Sequence, residues 1–337
     1  MFSRPPLRCE PPPWARGGHA QTVLGALLPV GRPAPGHRSG YRSVRLPVQD
    51  GGALQAWHRD GPRDPVVVLW HGLGGSTAAP YMRLAAARAA SLGHPVLAVN
   101  HRGSGGPEER TSRPYMTGNT QDMADVLLWT RLRHRGRPVC MLGFSLSGNT
   151  LLKWLGGGAR ELPESALAVN PSIDLDETSR HLLAWPQHAY DLWLLRRCRR
   201  WVPRLRGETG ASYRVPALSS LREFDARYIA PVWGFPDRES YYRQASGGPH
   251  LVNIDRPTAI LTAGDDPITG VDHLARTPRS ASVALHVEPH GGHLGYLHGG
   301  GGSTGRWLEY AVGHYLDQAA ELAAATPAGM ETASCAP

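Results

Sequence analysis

Four short apolar runs set the architecture of this chain: Pro65–Trp70, Pro95–Asn100, Pro138–Phe144 and Ala166–Asn170. None alternates apolar with polar residues, as a strand with one wet face does. Continuous runs of this length suit parallel strands buried on both faces. Helical stretches separate them, from Ala79 to Leu92, from Asn119 to Arg133, and from the end of the third run to near Trp154. Strand–helix alternation predicts a mostly parallel sheet with helices on both faces. Upstream, Tyr41–Leu46 and Ala53–His58 flank an Asp50-Gly51-Gly52 turn and predict a β-hairpin. Downstream, the pattern resumes at Pro257–Gly264 and Ala284–Pro289 and closes with a helix from Arg306 to Gln318. The expected fold class is therefore α/β, with an eight-stranded sheet.

The pattern breaks once. Residues 172–250 are rich in Arg and Trp and carry several prolines, so they read as an inserted cap. The expected organisation is an arm over 1–40 lying on the surface, a core in two parts (41–171 and 251–320), the cap between them, and a disordered tail over 321–337. Gly299–Gly302 reads as a flexible loop. Within the cap, Tyr190–Val202 fits a lid helix with Trp193, Leu194 and Trp201 on its apolar side. Its arginines also suit weak peripheral contact with an anionic membrane.

Composition excludes several classes. With 41 % hydrophobic residues, 40 Gly and 30 Pro, the 337-residue chain is globular and turn-rich. No apolar run approaches the roughly 18 residues of a spanning helix. The first 30 residues lack a compact apolar segment before a small-residue cleavage site, so a cytoplasmic protein is expected. Cys9, Cys140, Cys198 and Cys335 form no C-x-x-C pair, which fits a reducing compartment. The net charge is +8, and Lys153 is the only lysine among many arginines. No nucleic-acid module or aromatic stacking platform accompanies that charge, so no nucleic-acid partner is expected.

Four motifs carry chemistry. Gly143-Phe144-Ser145-Leu146-Ser147-Gly148 joins the third buried run to a helix. Such a strand–turn–helix lifts a serine hydroxyl clear of the sheet, and the Leu146 N–H at the helix start can donate to an oxyanion. The usual G-x-S-x-G pattern is broken by Ser147 in the place of its second glycine. Trp70-His71-Gly72-Leu73-Gly74-Gly75-Ser76 follows the first run, and its glycines let the Leu73 N–H turn toward the same oxyanion. It begins like a dinucleotide fingerprint, but Thr77 stands at the third glycine. Ala263-Gly264-Asp265-Asp266-Pro267 ends a strand; one aspartate, chosen as Asp266, can orient a histidine. His290-Gly291-Gly292-His293 follows the last strand, and His293 can serve as base and then acid. A zinc set of His290, His293 and His298 lacks a helix to hold it on one face, so no metal and no cofactor are expected.

These segments resemble the YheT-like branch of the α/β-hydrolase superfamily, which is related to abhydrolase-domain lipases. The resemblance runs from Trp14 to Leu316. It also takes in Gly18-His19-Ala20-Gln21-Thr22, His101-Arg102-Gly103, Arg222-Glu223-Phe224-Asp225 and Tyr241-Tyr242-Arg243. It implies the α/β-hydrolase fold, a lid, and cleavage of short- to medium-chain acyl esters, some of them lipid esters, by Ser145, Asp266 and His293. Acyl transfer to an alcohol, or a silent fold used only for binding, are the alternatives.

Overall fold

A computed structural model describes residues 1–105, 109, 111, 113–200, 220–300 and 303–325. Eight strands form one sheet: β1 Arg42–Pro47, β2 Ala53–Arg59, β3 Val66–Trp70, β4 Val96–Val99, β5 Val139–Phe144, β6 Ser165–Val169, β7 Thr258–Ala263 and β8 Val283–Glu288. Their order is β1-β2-β4-β3-β5-β6-β7-β8. β1 pairs antiparallel with β2, and β2 with β4; from β4 to β8 every pairing is parallel.

The period of two explains why β3 has no polar face. Val67 and Leu69 pack on one side with Met82, Ala85 and Val312. Val66, Val68 and Trp70 pack on the other with Met123, Leu127 and Leu151. The first side is covered by α2 (Pro80–Ser91) and the last long helix (Trp307–Ala325), the second by α3 (Thr120–Arg133) and α4 (Leu146–Leu155). Helices on both faces are the condition that lets parallel strands be apolar throughout.

Between β6 and β7 the chain runs through α5 (Leu175–His181), α6 (His188–Arg199), α7 (Leu221–Phe224), a π-helical turn Asp225–Ile229, α8 (Ala230–Val232) and α9 (Arg238–Ala245). These build a third apolar cluster from Leu175, Leu194, Phe224 and Tyr241, against which Leu73 and Leu146 pack. α6 is the helix expected over Tyr190–Val202, ending at Arg199; Trp201 and Val202 lie outside the described residues. Leu194, Leu195 and Cys198 face inward, while Arg196, Arg199 and Arg200 are exposed.

Three expectations need correction. The first 40 residues are not merely a surface arm. They contain a helix, Gly18–Leu27 (here αN), and bury Phe2, Cys9, Ala15 and Gln21. The glycine-rich loop is partly strand: Leu297–Gly300 pairs with Ser303–Arg306 as an antiparallel hairpin. Residues 321–325 of the expected tail instead continue the last helix, which runs to Ala325; Gly301, Gly302 and residues 326–337 lie outside the described residues. No helix among the described residues is long and apolar enough to cross a membrane.

Candidate active site

The tight turn between β5 and α4 forces Ser145 into φ 55°, ψ −123°. A non-glycine residue at positive φ is strained, and such strain persists only where the surroundings over-determine it. Here the strand and helix backbones close on each other. A Cβ on Gly143 would lie 2.6 Å from the Ser147 carbonyl oxygen. The turn leaves the Ser145 hydroxyl at the C-terminal edge of the sheet, almost buried.

The two adjacent aspartates after β7 divide their tasks. Asp265 accepts from the Gly291 and Gly292 N–H groups at 3.0 and 2.8 Å and so shapes the histidine loop. Asp266 turns the other way and is buried. It accepts from Ile268 N–H (2.8 Å), Thr269 Oγ1 (2.7 Å), Asn170 Nδ2 (2.7 Å) and His293 Nδ1 (2.8 Å). Burial alone pushes a carboxyl upward, but the His293 charge and these donors outweigh it and hold Asp266 down at about 2. It is an anion at any ordinary pH. On the other side of the imidazole, His293 Nε2 lies 2.9 Å from Ser145 Oγ. Hydroxyl, imidazole and carboxylate, drawn from positions 145, 293 and 266, thus stand in one hydrogen-bonded row.

The histidine loop is conformationally costly, with Gly292 at φ 54°, Leu294 at φ 64° and Tyr296 at φ 42°. αN braces it. Thr22 Oγ1 accepts the His293 backbone N–H at 2.8 Å. Gln21, fully buried, accepts from Leu297 N–H and donates to the Ala15 and Leu297 carbonyls. Gly295 sits so close that a Cβ would lie 2.1 Å from the Gln21 carbonyl oxygen. From β6, Asn170 donates to both Asp266 and the Gly292 carbonyl, and Tyr296 Oη donates to Asn170 at 2.8 Å. Sequence reasoning missed Thr22, Gln21 and Asn170 as supports; the Gly18–Thr22 motif was visible but had no assigned task. The three histidines weighed as zinc ligands go to separate partners: His290 lies 3.4 Å from Asp265, and His298 Nδ1 accepts the Glu10 N–H.

The glycine loop after β3 meets Ser145 directly. A Cβ on Gly72 would lie 2.9 Å from Ser145 Cβ, and the next residue, Leu73, lines the same cavity as Ser145. The Gly72 N–H donates to Tyr81 Oη at 3.0 Å. Ser147 adds a second tether. The His101 N–H donates to His71 Nε2 at 3.1 Å, so His71 carries its proton on Nδ1, 2.8 Å from the Gly72 carbonyl. His101 Nε2 faces the His71 carbonyl at 3.0 Å and therefore carries a proton. Ser147 Oγ, 2.6 Å from that nitrogen, accepts from it and donates to the same carbonyl. Burial lowers both histidines, His71 to about 4, so the network stays neutral. The residue that departs from the usual glycine thus links the elbow helix to the glycine loop. Ser147→Gly is expected to lower kcat about tenfold, the worth of one buried hydrogen bond, with KM little changed. Ser147→Ala should do the same without the helix cost of glycine; steady-state kinetics of both variants checks this.

Ser145, His293, Leu73 and Leu146 all line one cavity of about 820 Å³, a size suited to a small-molecule ligand. Its walls are largely aliphatic, with Leu175, Leu182, Leu194 and Ile268 among them. Val23, Leu27 and Trp193 line it and keep 44 %, 74 % and 50 % of their surface exposed, forming an apolar rim.

A family model described as the alpha/beta hydrolase fold matches residues 65–300, more than half the chain. The chain belongs to the α/β-hydrolase family. Within the family it is similar to YheT of Escherichia coli (strain K12), named as an esterase, with 30 % identity over 81 % of this chain and 83 % of that protein. It is also similar to the phospholipase ABHD3 of Mus musculus, with 26 % identity over 86 % of this chain and 73 % of that one. Among solved structures, the Pyrococcus furiosus esterase Pf2001 superposes with a TM-score of 0.56 at 16 % identity, covering 84 % of this chain and 90 % of that one. That last likeness speaks to the fold. This α/β hydrolase is a YheT-like enzyme of the esterase and lipase type.

Proposed function

We propose that this hydrolase cleaves short- to medium-chain acyl esters, including monoacylglycerol-like lipid esters, through an acyl-enzyme formed on Ser145. The observation that carries the reading is the Ser145–His293–Asp266 row, 2.9 and 2.8 Å across its two links. His293 takes the hydroxyl proton as Ser145 Oγ attacks the ester carbonyl. Asp266 holds the imidazole with its proton on Nδ1 and stabilises the imidazolium as it forms. The N–H groups of Leu73 and Leu146 receive the developing oxyanion. His293 then returns the proton to the leaving alcohol, and water, activated by the same imidazole, releases the acid. The described residues between 172 and 250, with Leu175, Leu182, Leu194 and Leu221 among those that line the cavity, serve as its cap.

The aliphatic walls and apolar rim support an acyl chain as the bound group. With p-nitrophenyl esters, kcat/KM is expected to rise from acetate to about octanoate. Each buried methylene contributes about 0.8 kcal/mol, roughly fourfold. A profile that falls steadily from acetate onward would remove the acyl-pocket reading. Product analysis with added ethanol separates hydrolysis from acyl transfer, since both share the acyl-enzyme.

A further inference from the structure

One carboxyl in the cavity has no part in the ester-cleaving row. Asp225 lines the same cavity as Ser145. It begins the π-helical turn Asp225–Ile229, directly after α7. π-turns inside helical segments are frequent at functional sites, because they re-aim a side chain at the expense of regular hydrogen bonding. The Asp225 residue keeps part of its surface accessible although protein encloses its carboxyl; the cavity it lines accounts for both.

The carboxyl is held rather than loose. Tyr242 Oη donates to Asp225 Oδ2 at 2.8 Å. From α7, Arg222 Nη1 donates to Ser179 Oγ at 2.6 Å, fixing a hydroxyl that also lines the cavity. Apart from His293 and the tyrosines, the ionisable side chains lining the cavity among the described residues are Arg197 and Asp225. Arg197 is already engaged, donating through Nε to the Gly74 carbonyl with its guanidinium 4.9 Å from the Trp193 ring. Asp225 is thus the one carboxyl among the described residues that lines the cavity.

Its electrostatics select the ligand. Burial pushes the carboxyl up to about 7. Asp191 from α6 adds to that rise, while the Tyr242 bond and the charges of Arg238 from α9 and Arg222 from α7 oppose it. The charges of Arg222 and Arg238 oppose a cation beside Asp225, and that of Asp191 opposes an anion, although none of the three lines the cavity. A hydroxyl, which both donates and accepts, suits either protonation state.

We propose that Asp225 is a substrate-recognition group, positioned by Tyr242 to bind a free hydroxyl carried by the ester substrate. The proposal rests on the esterase reading, since it gives that cavity a preference for hydroxylated esters over plain alkyl esters. The hydroxyl can lie on the alcohol or on the acyl chain, and the chemistry of recognition is the same.

Binding without turnover tests it. The Ser145→Ala protein is titrated calorimetrically with ethyl octanoate, 2-hydroxyethyl octanoate and ethyl 8-hydroxyoctanoate. One hydroxylated ester is expected to bind about tenfold more tightly than ethyl octanoate, the worth of one buried hydrogen bond. Which ester it is places the hydroxyl on the alcohol or the acyl side. In Ser145→Ala/Asp225→Leu the ratio should fall to about one. In Ser145→Ala/Asp225→Asn, an isosteric change suited to keeping the fold, the amide still donates and accepts, so the ratio should stay close to that of Ser145→Ala. Equal affinity for all three esters in Ser145→Ala overturns the proposal, as does a preference that survives in Asp225→Leu. Continued ester cleavage by Ser145→Ala would instead strike at the nucleophile assignment, and the affinity ratios would still be read.

Discussion

Ser145→Ala is expected to lose ester cleavage by about a million-fold in kcat, the scale on which serine-nucleophile enzymes fall when the hydroxyl is removed. The size follows from the division of labour. Without the hydroxyl no acyl-enzyme forms, and only the backbone donors and the cavity remain to assist attack by water. A fluorophosphonate probe should label the wild-type protein and leave Ser145→Ala unlabelled. The same position yields an opposite effect on stability. Ser145 is held at φ 55°, ψ −123°, a region that an L-residue occupies only under strain. Alanine keeps the strain and glycine relieves it. Ser145→Gly should therefore be equally inactive yet unfold at a higher temperature than Ser145→Ala, by a margin worth about 1 kcal/mol. Retained cleavage in either variant would remove Ser145 from the chemistry. A glycine variant less stable than the alanine one would mean that the elbow stores no strain.

The sheet was legible because its code is local. Val66–Trp70 and Val139–Phe144 are apolar throughout because both faces are covered, and that shows in the residues themselves. The hydrogen-bonded row of Ser145, His293 and Asp266 was legible by a different route: each of the three follows a core strand, so the strand pattern indicated the edge at which they would meet. αN was illegible for a physical reason. Its buried residues are Gln21, Thr22 and Gly25, so its inward face is polar and produces no hydrophobic period. What it buries is a set of hydrogen bonds to the histidine loop, and those partners lie more than 270 positions away in the chain. The Leu297–Arg306 hairpin hid behind glycines that read as a loop. Asp225 hid for a third reason, because only the folded chain shows that it lines the same cavity as Ser145 and is held there by Tyr242. Ser147 looked like a defect in the elbow and proved to be a bridge, which only the positions of His71 and His101 could show.

Asp266→Asn should lower kcat by about 10⁴-fold while leaving Ser145 and His293 in place, as expected when a triad histidine loses the acceptor that fixes its tautomer. The environment of Asp266 makes the substitution harsher than a simple loss of charge. Every group that reaches its two oxygens donates: His293, Asn170, Ile268 N–H and Thr269. An asparagine brings an NH₂ into that ring, so at least one donor must face another, or the imidazole must turn over and aim its bare nitrogen at the amide. Either outcome removes the proton arrangement that Ser145 requires. Stability should fall as well. The folded-state value near 2 lies below the ordinary carboxyl value of 3.8, so the ionised carboxylate favours the folded state by about 2 kcal/mol. That contribution is complete above pH 4 to 5 and is lost as pH falls toward 2. Its removal in Asp266→Asn should show as a lower melting temperature at pH 7, with the gap to wild type closing in acid. Melting curves at pH 7 and pH 3, read beside kcat, separate the two effects. If the variant melts like wild type at neutral pH and still turns over rapidly, the ring of donors around Asp266 does not govern His293.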